Sequence, residues 1–222
     1  MAKSIRACTE LGDRERWAAH LRRLAESGLA GVELQRELRE ALARPHWIGG
    51  PLLASMWVRR HGSLPSGCSE ADASESLRIA RDDAALWWAL VDASAGPVER
   101  WIDVRGAGPL FRQDACRAIE VWTETELSAL HALWRHARTA TGEAAAALSA
   151  RIGRAVSWHL EYTQPDNATN HPWAAQVFLL HGPPESRHFA ETLVSNCMVL
   201  HGRPDALSAW ILLDAAEALD AL

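Results

Sequence analysis

The residues best suited to chemistry gather in the last third of the chain. The stretch Thr163-Gln-Pro-Asp-Asn-Ala-Thr-Asn-His171 is dense in hydrogen-bonding side chains. Pro165 suits the first central position of a turn, with Asp166 or Asn167 after it. Asn170 or His171 can cap the following helix. Gln164, Asp166 and Asn167 remain as candidate ligand contacts, because loops set on a rigid frame often carry binding groups. Asp166 and His171 are candidate acid–base groups. Trp158 and Trp173 flank this loop. Aromatic faces beside many donors and acceptors suit a sugar or another ring-shaped ligand, which makes Trp173 a candidate ligand contact.

Three further positions stand out by helical geometry. In the segment 185–200, His188, Glu191, Thr192 and Ser195 share one face. His188-x-x-Glu191 can bring an imidazole and a carboxylate together, as an acid–base pair or a metal pair requires. An amphipathic helix turning its polar side to water gives the same pattern, so the signal has low specificity. Asn196 lies between the polar and apolar faces and can reach a ligand from the edge. His159 falls on the stripe Leu148, Ile152, Ala155, Tyr162 and is expected to be a buried polar group, whereas Glu161 falls on the opposite face. Asp214 sits among Leu207, Trp210, Ile211, Ala218 and Leu222. A carboxylate there is costly unless paired, so an arginine, a histidine or backbone N–H groups should meet it.

No P-loop, GxGxxG after a strand, GxSxG elbow or HExxH is present. No metal site or cofactor is assigned. The 222 residues are 48% hydrophobic, enough for a substantial core. The net charge of -5 argues against a nucleic-acid or anionic-membrane binder. Residues 1–61 hold 11 Lys/Arg against 7 Asp/Glu, whereas residues 160–222 hold 2 against 8. The mixed signs in the basic third suit a solvated helix face. Cys8, Cys68, Cys116 and Cys197 form no ligand pair and are expected to be free thiols in a reducing cytoplasm. The start lacks an apolar h-region, and no stretch approaches the length of a membrane span.

The elements that must position these groups are helices. Expected helices are 13–27, 32–43, 51–61, 74–93, 109–122, 123–140, 143–162, 172–180, 185–200 and one from Asp205 to near the end. Thr123-Glu-Thr-Glu126 has capping-box form. Pro172 and Pro183-Pro184 suit helix starts. A short strand is expected at 101–104. His61-Gly62, His181-Gly182 and His201-Gly202 are similar helix endings, each with a proline nearby. Histidine there meets the negative helix end and glycine takes the left-handed conformation. The whole is expected to be all-α: about ten helices in antiparallel hairpins, as a bundle, an α/α toroid or a helical-repeat array, in a single domain 1–222 with a subdivision near 95–108. Most of the eleven tryptophans, Trp17, Trp57, Trp88, Trp134 and Trp210 among them, fall at core spacing.

Three functions compete. The first is a binding module that takes a protein partner or a polar small ligand on a concave face, with homo-oligomerisation open. The second is a hydrolase or lyase on a polar or sugar-like substrate, using Asp166, His171, His188 and Glu191 with His159 or Asp214. It requires these groups to converge. The third, a nucleic-acid binder using Arg14, Arg16, Arg22, Arg23, Arg36 and Arg39, ranks below both because of the acidic net charge.

Overall fold

The computed structural model describes residues 11–28, 36, 39–40, 62–63, 66, 102–110, 119–163 and 169–222. The described segments are mainly helical, with 102–110 in turns, and contain no strand. Six helices stand among them: α1 (Leu11–Gly28), α2 (Ile119–Thr139), α3 (Gly142–Tyr162), α4 (Ala175–His181), α5 (Ser186–Asn196) and α6 (Ala206–Asp220). That is fewer than the roughly ten expected. The expected helices at 32–43, 51–61 and 74–93 lie outside the described residues, apart from single positions. The class is all-α, and these six helices alone do not single out a toroid or a repeat array.

Packing is organised around α6. All but three of its residues are buried, the exceptions being Asp214, Glu217 and Asp220. Its start is fixed locally, because the Asp205 side chain accepts the Ser208 backbone N–H at 2.7 Å. Helix α1 turns Trp17, Ala18, Leu21 and Ala25 inward, the spacing of an amphipathic helix. It runs antiparallel to α6: Gly28 meets Pro204 and Ala209, while Arg22 pairs with Asp220. The contact at Gly28 is close. A Cβ there would lie 2.7 Å from the Pro204 carbonyl and 2.9 Å from the Ala209 Cβ. Helix α2 lies parallel to α6, as shown by Asp214 facing His131 and Arg135 and by Arg138 donating to the Ala221 carbonyl. Helices α2 and α3 form an antiparallel hairpin, with Trp122 edge-on to Trp158. The short α4 threads the centre. Every residue from Ala175 to Leu180 is buried, and Phe178 stacks on Phe189 of α5 at 4.3 Å.

Several local expectations are corrected. The capping-box residues do not start a helix, because α2 runs through them. Thr123 Oγ1 donates back to the Ile119 carbonyl at 2.8 Å, and Glu126 accepts the Leu110 backbone N–H instead of reaching its own helix start. Residues 102–104 are not a strand. They turn, with the Gly106 N–H on the Asp103 carbonyl and the Arg105 N–H on Asp103 Oδ1. Pro172 does not open α4, since the turn at Trp173-Ala174 intervenes, with Ala174 at φ 59°. Helix α5 ends at Asn196 and gives way to turns, short of the expected 200. Gly202 is left-handed at φ 66°, but Gly182 is extended. Glycine is required at 182 by space: a Cβ would collide with the Ser186 side chain and the Phe178 carbonyl.

Candidate functional site

Glu124, Asp205 and Trp173 enclose His171. Its Nδ1 lies 2.6 Å from Glu124 Oε1, and its Nε2 lies 3.3 Å from Asp205 Oδ2. The Trp173 indole N–H donates to the same Glu124 oxygen at 2.6 Å. Burial opposes protonation of His171, but hydrogen bonds to Asp205 and Glu124, together with their charges, outweigh it and raise the pKa to about 10. Burial also pushes the Asp205 carboxyl upward, yet the His171 imidazolium and the Ser208 N–H hold it below its ordinary value. His171 is therefore an imidazolium tying the first turns of α2 to the cap of α6. Both ring nitrogens are engaged, which suits a clamp better than an acid–base group. Trp173 is 1% exposed, so it is core with a satisfied N–H and not a ligand platform.

Asp214 belongs to a second network. Its Oδ1 accepts from Arg135 Nη1 at 2.7 Å, and its Oδ2 lies 2.9 Å from His131 Nε2. The tautomer of His131 follows from its other side. The Ala174 backbone N–H, which can only donate, reaches His131 Nδ1 at 3.2 Å, as does the Gln176 amide nitrogen at 3.2 Å. The proton thus sits on Nε2 and points at Asp214. One fully buried histidine joins α2, α4 and α6, and it helps hold Ala174 in its left-handed conformation, which costs an L-residue about 1–2 kcal/mol.

His159 is fully buried in a third cluster. Its Nε2 lies 3.5 Å from Glu126 Oε1, itself fully buried. Beside them runs the buried Arg151, whose Nε and Nη2 donate to the carbonyls of Asp103 and Pro109 at 2.9 and 2.8 Å. Burial pulls the Arg151 guanidinium pKa down and the Glu126 carboxylate opposes this. Arg154, nearly one turn later, donates from Nε and Nη2 to the carbonyls of Gly106 and Val104 at 2.9 and 2.8 Å. Two α3 arginines therefore pin the segment 102–110 to that helix through four carbonyls.

The pinned segment and α3 enclose an open groove of about 690 Å³. Ala107 and Gly108 form one wall. Along α3 the groove follows one face from Ala150 and Gly153 through Arg154 and Ser157 to Trp158, Glu161 and Tyr162. His181 also lines it. Trp158 and Tyr162 pair at 5.4 Å between ring centroids, and Tyr162 is 63% exposed. Its phenol pKa is raised, chiefly by a hydrogen bond to Glu161. The Trp134 indole N–H donates to His181 Nε2 at 3.1 Å, which leaves the His181 proton on Nδ1.

His188 and Glu191 stand apart from all this. They are 84% and 48% exposed and 3.9 Å apart. Glu191 pairs with Arg187 Nε at 3.1 Å, and Arg187 lies 3.7 Å from Asp13 and above the Trp17 ring. Glu191, Arg187, Asp13 and Trp17, but not His188, line a cleft of about 460 Å³ between α1 and α5, whose charges are mutually paired. Asn196, at the end of α5, is half-buried. Gln164, Asp166 and Asn167 lie outside the described residues. The described candidates have different polar partners: His171, Asp214 and His159 each bond to a different set, although Trp173 lies against both His171 and the His131 that holds Asp214, and the His188–Glu191 pair is exposed. Among the described residues no group of three or more His, Cys, Asp or Glu is placed to hold a metal ion.

Reasoning from sequence missed Glu124, Glu126, His131, Arg135 and the two arginines of α3. The signal for His131 was the one that revealed Asp214, a polar residue flanked at helical spacing by Leu127 and Trp134. Compared with protein families, curated proteins and solved structures, the chain has no match in any of the three.

Proposed function

We propose that the protein is a non-catalytic binding protein that takes a small polar ligand with a flat or ring-shaped face in the α3 groove. The observation carrying this reading is the exposed Tyr162 ring paired with Trp158 in a groove that also holds Arg154, Ser157, Glu161 and His181. Aromatic faces set beside a few polar groups are what a hydroxyl-bearing ring requires. The engagement of His171 and Asp214 by structural partners supports binding over turnover. Ion pairs of Arg16 with Asp13, Arg22 with Asp220 and Arg36 with Glu40 speak against a nucleic-acid surface. The groove, more than the concave face of a helical array, supports the reading. No described helix is long and apolar enough to cross a membrane. The buried Cys197 thiol suits a reducing, cytoplasmic setting; its pKa is pushed up to about 12, mainly by burial.

Calorimetric titration with a panel of monosaccharides, disaccharides and polar aromatic heterocycles tests the proposal. Saturable binding to at least one class is expected, weakened tenfold or more by Tyr162→Ala with the melting temperature unchanged. Absence of binding across the panel, or binding indifferent to both Tyr162→Ala and Trp158→Ala, overturns it. Glu161 and His181 lining one groove keep a hydrolase or lyase as the second reading. Product formed from a bound ligand and abolished by Glu161→Gln would establish that alternative.

A further inference from the structure

The groove has an electrostatic direction. Arg154 and Glu161 both line it, seven residues apart on α3, which is about 10 Å along the helix axis. Trp158 lies between them, one turn (about 6 Å) beyond Arg154. The guanidinium spends only Nε and one Nη2 hydrogen on the Gly106 and Val104 carbonyls. An arginine has five N–H donors, so three stay available beyond the two carbonyls, with the Asp103 carboxylate the nearest acidic group of the gripped turn. The neighbouring Arg151 is buried beneath the same segment, where the Glu126 and Asp103 carboxylates offset its charge. The Glu161 end repels anions, and the carbonyl end of α3 adds to that repulsion.

Building on the proposed binding of a ring ligand, we propose that the ligand is anionic, a carboxylate-bearing saccharide of the uronic-acid type. Its ring lies on the Trp158–Tyr162 pair and its carboxylate turns back one helical turn to Arg154. Charge-assisted bonds from a guanidinium to a carboxylate supply the discrimination. Ring hydroxyls face Ser157 and Glu161, and the reverse orientation sets the carboxylate against Glu161. Arg154 is thereby both the anchor of the 102–110 wall and the residue that selects charge.

A matched pair of probes, methyl β-glucuronide and methyl β-glucoside, isolates the carboxylate. Titration at low salt should show the glucuronide binding at least tenfold more tightly, with the preference shrinking as salt is raised. Arg154→Lys should keep the preference and Arg154→Gln should abolish it. Hydrogen exchange at the 104–108 amides reports whether the wall stays in place in each variant. Equal binding of the two probes, or a preference that survives Arg154→Gln, overturns this inference and leaves the ring-ligand reading standing. Binding of heterocycles but of neither sugar does the same. Failure of every ring ligand removes both.

Discussion

The His171 imidazolium is held by two carboxylates, and its energetics follow from that pairing. Its folded-state pKa, about 10, lies above the ordinary 6.5. The folded protein therefore binds a proton that the unfolded chain releases at lower pH. The stabilisation is fully present below 6.5 and drains away as pH rises toward about 10. Asp205 works at the other end. Its carboxyl is held below the ordinary 3.8, so its contribution is present above that value and is lost as pH falls. His171→Gln should cost about 2 kcal/mol near neutrality, the scale of a hydrogen bond to a charged partner. Urea unfolding at several pH values should show this deficit closing between pH 6.5 and 10, because the parent loses what the variant never had. A deficit independent of pH would mean the ring acts by packing alone. Sequence reasoning singled out His171, His159 and Asp214 because polar groups stand out against apolar helical stripes or cap positions. It could not name their partners. Glu124 lies 47 residues before His171, and His131 lies 83 before Asp214. Only tertiary packing decides such pairings.

Helices set what these residues can reach, and the glycines at their contacts make that testable. Gly153 lies inside α3, where alanine is intrinsically better by about 1 kcal/mol, whereas Gly28 is the last residue of α1. A Cβ at Gly153 meets nothing within 4 Å, whereas one at Gly28 strikes a backbone carbonyl and a neighbouring Cβ. Neither of those atoms belongs to a flexible side chain. Gly153→Ala should therefore stabilise by about 1 kcal/mol, while narrowing the groove it lines and weakening ring-ligand binding. Gly28→Ala should destabilise by about 1–3 kcal/mol as α1 lifts from α6. Chemical denaturation of both variants decides this, and a stabilised Gly28→Ala would refute the tight α1–α6 contact. The same contrast explains which elements were legible. Asp205 as a cap and Gly28 as a stop are local signals, readable from a few neighbouring residues. Thr123-Glu-Thr-Glu126 carries the local form of a start, yet Glu126 serves Leu110 sixteen residues away. Residues 101–104 alternate like a strand over too short a run. The turn there is held by arginines on α3, 48 residues on in the case of Asp103 and Arg151.

At the scale of the whole molecule, α6 joins α1 to the rest of the described core, and α4 joins α6 to α2, α3 and α5. The buried residues of α6 pack against α1 and α4 while Asp214 reaches α2, within one continuous core that also takes in Ile102 and Leu110. An isolated α6 would expose an almost wholly apolar surface to water. Detaching α1 uncovers that surface, and freeing Asp214 from α2 leaves Arg135 and His131 without their carboxylate. The described helices should therefore open as one cooperative unit. Leu212→Ala is the sensitive probe, because Leu212 is fully buried near the middle of α6. The lost methyl groups and the cavity left behind should cost about 3 kcal/mol. Native-state hydrogen exchange should show that loss equally in the slowest amides of α1, α2 and α6, although Leu212 belongs to only one of them. If the amides of α1 lost protection while those of α2 kept theirs, the N-terminal helix would be a separately opening unit, and a single core organised on α6 would be the wrong description.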